Sequence, residues 1–226
     1  MNPMTNLIVA AAVFLLTHYV ASTPLRSGLV KLLGENVYLG LYTLVSLAAL
    51  GWMIWAFMRA PYAPLWDGWE FRAWAILLMP VSLVLVAAGA MTRNPSAVRQ
   101  ESLFRNMGEP QGILRVTRHP IQWGIALWAA LHMMVRGDTA SLAFFGAFLV
   151  LAVSGTVLID ARKNRAIGVE WQRFASVSSN IPFAAIIGGR NQFRFEEIGW
   201  KRVLAGLGLY FVLAFLHPYL FGVSAV

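Results

Sequence analysis

His18 and His132 are titratable rings set inside apolar runs, where an imidazole is costly to keep without a partner. The chain has four histidines, and the other two, His119 and His217, each precede a proline. An imidazole in an apolar run can hold haem iron or zinc, or it can donate to a backbone carbonyl and help helices pack. With no cysteine in the chain, thiolate metal sites, disulfides and a cysteine nucleophile are excluded. No two histidines stand at i,i+4, and carboxylates are scarce in the apolar runs, so a zinc hydrolase is poorly supported. A phosphate-binding Gly-rich loop and a nucleophile elbow are both missing. Carboxylates are also absent from the middle of every apolar run, which speaks against a proton-coupled pump.

The elements that must position these rings are membrane helices. Of 226 residues, 58% are hydrophobic and 12% charged, about half the charge of an ordinary soluble domain. Runs of roughly 20 apolar residues read as spans, and six are expected, at residues 6–21, 37–58, 73–92, 121–135, 139–159 and 203–223. The fourth is short. The expected fold is all-α, a polytopic membrane helix bundle forming one domain over residues 1–226. Pro80 falls inside the third span, where neighbouring helices can accommodate it.

Charge sets the expected orientation. With six spans, one side of the membrane holds Arg59, Arg72 and Arg136, and the other holds the remaining 15 basic residues of 18. That asymmetry is expected to place the large basic loops in the cytoplasm and both termini outside. The net charge of +8 is then a matter of insertion and of attraction to anionic lipid, and no nucleic-acid partner is expected. The first six residues carry no Lys or Arg, so the first helix is expected to be retained rather than cleaved.

Two basic segments exceed turn length. Residues 93–120 open on Asn94-Pro95 and close on Arg118-His119-Pro120, which puts His119 at or beside the N-cap of the fourth span. Residues 160–202 begin as an extension of the fifth helix, broken near Gly168. They continue through an apolar stretch at 180–187 that is too short to span and is expected at the interface. Trp66, Trp69, Tyr210 and Tyr219 lie near span ends, as interfacial anchors do.

Several stretches carry a family resemblance. They are Thr17-His18 with Ala21-Ser22 and Leu25-Arg26; Leu33-Gly34-Glu35; Gly112-Ile113-Leu114-Arg115-Val116-Thr117-Arg118-His119-Pro120; Ile181-Pro182-Phe183-Ala184-Ala185-Ile186; and His217-Pro218. In this order the chain resembles the NnrU family of integral membrane proteins and its zeta-carotene isomerase relatives. The resemblance implies a protein of the bacterial inner membrane with a haem b held by two histidines, which fall on His18 and His132; Arg118, by its charge, is a partner for a haem propionate or lipid phosphate. It implies either cis–trans isomerisation of an apolar polyene or support of nitrite and nitric oxide respiration, with an electron donor unnamed. The isomerases carry a cysteine three residues before the second histidine; Ala129 stands there, so a thiolate ligand switch is lost. By depth alone His119 suits His18 better. Upright helices rising ~1.5 Å per residue put His18 and His132 about 13 Å apart along the membrane normal.

A rival resemblance uses the same region. Arg118-His119-Pro120 with Gly124, then Gly168, Trp171, Phe174 and Ile181-Pro182, is similar to the cofactor half of isoprenylcysteine carboxyl methyltransferases. It implies S-adenosylmethionine, although Ile159-Asp160 stands where those enzymes have two glutamates. A non-catalytic membrane protein is the third reading. Fusion reporters test the shared topology. Both termini are expected outside and Arg99 and Arg165 inside, and a cytoplasmic C-terminal reporter would overturn the span count.

Overall fold

The computed structural model describes residues 1–23, 25–97, 100 and 109–225. Arg99 and Arg105, counted above among the basic residues, lie outside the described residues. The elements run α1 (Pro3–Val20), α2 (Leu25–Leu33), α3 (Glu35–Arg59), a 3-10 turn (Trp69–Phe71), α4 (Arg72–Ala90), α5 (Ile113–Val116), α6 (Pro120–Arg136), α7 (Thr139–Ile167), α8 (Val169–Val177), α9 (Ala184–Ile187), α10 (Phe195–Ile198) and α11 (Trp200–Phe221). Among the described residues the secondary structure is helical, apart from one isolated bridge between Pro64 and Asp138. The all-helical membrane bundle is therefore what the sequence leads one to expect.

Among the described residues five helices are long and apolar enough to cross a membrane: α1, α3, α4 with its 3-10 turn, α7 and α11. The protein is a multi-pass membrane protein. The expected fourth span, α6, has 17 residues, which at ~1.5 Å per residue reach about 25 Å against a hydrocarbon core of ~30 Å. Its limits are chemical. Pro120 opens it where a missing N–H goes unused. Gly137 closes it in the left-handed conformation, with its N–H donating to Met133 O. A Cβ on Gly137 would sit 2.4 Å from Trp66 O, so the stop is also a contact with the loop after α3. Despite its length α6 is central, packed between α4 and α7.

By contrast α7 runs 29 residues, about 43 Å, and so projects past any bilayer core. It is capped at the start by the Asp138 side chain, which accepts from Ser141 N. It ends at Gly168, φ +69°, where the sequence places the break. Pro80 sits inside α4 without ending it.

Helices in lipid gain little from hiding apolar surface from water, so close approach of small residues has to hold them. Leu7, Ala10, Ala11 and Phe14 of α1 meet Ala49, Met53 and Ala56 of α3 and Phe144, Phe145 and Ala147 of α7 in one buried cluster. Between α4 and α6, Ser82 Oγ donates to Gly124 O at 2.7 Å. A Cβ on Gly124 would come within 2.8 Å of Ser82 O. α11 leans on α4 through Gly206, whose Cβ would lie 2.5 Å from Val84 Cα. The outer face of α11 is exposed at Phe211, Phe215 and Tyr219, as a lipid-facing helix requires. Because the neighbour at Gly206 is backbone, Gly206→Val should cost about 1–3 kcal/mol of packing. A lowered melting temperature in mild detergent, with proteolysis beginning on α11, is the expected readout.

Candidate functional site

The block from Gly112 to Pro120 forms α5, an extended residue and the start of α6. Gly112 has φ +59°, and a Cβ there would stand 2.8 Å from Glu197 O, so glycine lets α10 close over it. Thr117 is extended, and its hydroxyl donates to Asn180 O at 2.5 Å. Arg118 N donates to Ser179 O at 2.9 Å, and Phe183 N to Val116 O at 2.8 Å. Trp123 Nε1 shares the Asn180 carbonyl at 2.8 Å. The two most specific sequence blocks, Arg-Val-Thr-Arg-His-Pro and Ile-Pro-Phe-Ala-Ala-Ile, are thus joined directly by the Phe183 N–H to Val116 O, and the Ser179 and Asn180 carbonyls just before the second block take the Arg118 N–H and the Thr117 hydroxyl.

Asp160, from the projecting end of α7, gathers the charges. Arg118 donates through Nε to Oδ1 at 2.9 Å and through Nη2 to Oδ2. His119 Nε2 lies 2.6 Å from Oδ1, and Asn180 Nδ2 donates to Oδ2 at 3.0 Å. A carboxylate can only accept, so His119 carries its proton on Nε2. A carboxylate offers about four acceptor positions, and four protein donors fill them. Trp171 lies beneath the Arg118 guanidinium at 5.8 Å.

A second lock lies beside this one. Arg115 donates through Nε to Glu197 Oε2 at 2.8 Å, through Nη2 to Oε1 at 3.2 Å and through Nη1 to Asn191 Oδ1 at 2.6 Å. Gly112 N adds a bond to Glu197 Oε2 at 3.0 Å. The Arg115 hydrogen bond, helped by that backbone N–H, holds the Glu197 carboxyl below the usual glutamate range.

The sequence-derived site residues fall in two places. Arg118 and His119 meet at Asp160. His119 is at the N-cap of α6 as expected, but its ring turns to Asp160 and makes no side-chain cap bond. Arg118 is occupied by the same carboxylate. Asp160 entered the sequence reading only through the methyltransferase resemblance, and Asn180 not as a site residue; the further signal for Asp160 was a lone acid ending the apolar run of α7, just before Arg162 and Lys163.

His18 and His132 are elsewhere and apart. His18 Nδ1 bonds Phe14 O at 2.7 Å and His132 Nδ1 bonds Trp128 O at 2.9 Å. A carbonyl only accepts, so each neutral ring carries its proton on Nδ1 and presents Nε2 as a lone pair, the form a metal needs. Both readings of these rings, packing donor and potential ligand, are therefore compatible with the geometry. A run of ring contacts connects the pair: His18–Phe14 at 4.3 Å, Phe14–Phe148 at 5.2 Å, Phe148–Trp128 at 5.3 Å and Trp128–His132 at 5.0 Å. His132 also stacks on Phe145 at 4.7 Å. The two rings are thus linked by way of Phe14, Phe148 and Trp128, and each presents a nitrogen that suits an iron. Among the described residues no group of three or more His, Asp or Glu is placed to hold a metal ion.

Fold and site together define a multi-pass helical membrane protein whose signature motifs close a saturated Arg–His–Asp–Asn cluster at one end of the bundle. The chain belongs to the NnrU family, whose model, described as NnrU protein, matches residues 6–225. It is 32% identical over 120 residues to the 15-cis-zeta-carotene isomerase, chloroplastic, of Arabidopsis thaliana. That match covers 50% of this chain and 32% of the relative, so the chain spans about a third of that protein. No solved structure matches.

Arg118→Ala should cost ~3 kcal/mol by leaving a largely buried carboxylate short of its cation, with Asp160→Asn milder. Thermal unfolding in detergent reads both, and an Arg118→Ala protein as stable as the parent would show that the ion pair contributes nothing. The Arg115–Glu197 lock has a sign with pH. Its folded carboxyl titrates below the unfolded value of ~4.3, so its stabilisation is complete above that value and is lost as pH falls through the folded one. Glu197→Gln should flatten the decline in melting temperature below about pH 4.3.

Proposed function

We propose that this protein is a cis–trans isomerase of a long apolar polyene that enters sideways from the bilayer. The observation that carries the reading is the 32% identity to the isomerase relative over half of this chain. The wall of rings formed by Phe14, Phe148, Trp128 and Phe145 between α1, α6 and α7 supports it. Aromatic faces can hold a conjugated chain by stacking and need no polar handle on it. Isomerisation adds no atom and removes none, so the task of these residues is to orient the chain and keep water away.

A haem b would supply an iron able to polarise a double bond or exchange an electron with it. His18 and His132 are the rings that present an Nε2 lone pair to such an iron. The saturation of Asp160 argues against the rival methyl-transfer reading, because its carboxylate has no acceptor position left for a cofactor.

The test uses purified protein in proteoliposomes charged with a 15-cis polyene, read by chromatography of the isomers alongside oxidised and reduced absorption spectra. Conversion to the trans isomer is the expected result. Haem-replete protein that leaves the isomer ratio unchanged would end the proposal. A nitric-oxide-dependent spectrum without isomerisation would favour the respiratory role instead. Loss of six-coordinate character in both His18→Ala and His132→Ala would support the two as ligands of one iron, and a normal spectrum in either would end that pairing.

A further inference from the structure

The segment between α8 and α11 carries a feature that neither the isomerase reading nor the two locks use. Ile187 is 84% exposed and Phe183 46%, and Ile181, Phe193, Phe195 and Trp200 are exposed as well. Phe183 has φ +64°, a conformation bulky side chains rarely adopt. It is held there by its N–H to Val116 O and its carbonyl to Ile187 N. Its ring meets Phe193 at 6.2 Å across the turn at Gly188–Gly189. Strain held by surrounding bonds in order to display an aromatic ring outward calls for something apolar outside.

Beside this apolar rim lies a cleft of about 230 Å³ lined by Arg115, Arg190, Arg194, Glu109 and the 189–192 turn. Arg115 is already neutralised by Glu197, with Glu109 at 3.6 Å. Arg190 is not. Its Nη1 is pinned by Ser176 O at 2.7 Å and Ser178 O at 3.0 Å, and no carboxylate pairs with it among the described residues. The turn around it is fixed in turn by Asn191 Nδ2 to Val177 O at 2.9 Å. Arg194 is half exposed and reaches Glu197 only at 3.5 Å.

We infer that residues 181–195 form an anionic-lipid site, in which the Phe183–Phe193 pair and Ile187 enter the leaflet on the basic side of the membrane. Arg190, with Arg194, then binds the phosphate of a phospholipid headgroup. The chemistry is complementary at both levels. Aromatic and aliphatic side chains settle at the headgroup–acyl boundary, and a guanidinium with free donors recognises phosphate. The abundance of basic residues on the same side, expected to face the cytoplasm, draws anionic lipid there.

The chain has no cysteine, so a single Ile187→Cys protein takes one fluorophore cleanly. In vesicles of phosphatidylcholine with phosphatidylglycerol, nitroxides near the lipid headgroup should quench the label and aqueous iodide should not. Quenching by iodide would place the segment in water and overturn the inference, and quenching by neither would mean that protein covers it. Separately, spin-labelled phosphatidylglycerol should associate with the unlabelled protein in preference to spin-labelled phosphatidylcholine. Arg190→Gln should lower that preference about fivefold, and Arg190→Lys should retain most of it. An unchanged preference in Arg190→Gln would remove the headgroup site, and competition by inorganic phosphate alone would reassign it to a free anion. None of these readouts uses isomerase activity, so this inference and the proposed function fail separately.

Discussion

The Asp160 carboxylate is the constraint on which the basic end of the bundle depends. It stands on the part of α7 that outruns the bilayer, and its four acceptor positions are filled by three residues from two segments. Arg118 and His119 arrive from the start of α6, and Asn180 from the strap that follows α8. A carboxylate so placed is stable only with its cation, and the cation only with the carboxylate. The start of α6, the end of α7 and the 179–183 strap are therefore fixed as a unit. The Arg115–Glu197 pair repeats the device one layer over, tying α5 to α10 and hence to the start of α11.

Within the spans the forces differ. Lipid offers apolar contact as good as protein does, so α4, α6 and α11 are joined where glycine removes a side chain: Gly124 against Ser82 and Val86, Gly206 against Val84. The α1–α3–α7 side is joined instead by alanines and interlocked rings. The histidines lie in this second region. The Nδ1 protons of His18 and His132 are fixed by the carbonyl one turn earlier, which leaves each Nε2 chemically available. A packing role and a reactive role are not alternatives for such a ring, since the same hydrogen bond serves both.

Much of this was written in the residue pattern. Six apolar runs gave the helices to within a few residues, Gly168 marked the end of α7, and Arg118-His119-Pro120 marked the start of α6, because period, length and breakers act locally. What tertiary structure decided was which groups meet. His119 looked like an interface residue or an iron ligand, and Arg118 like a free cation, until Asp160, more than 40 residues later in the chain, was brought between them. Asn180 gave no sequence signal. The run of rings linking His18 to His132 draws on three different helices, which no pattern along the chain announces. Helix formation follows from neighbours along the chain, whereas the pairing of charges and the spacing of rings depend on how whole helices cross. That crossing is set by small residues whose partners the sequence does not name.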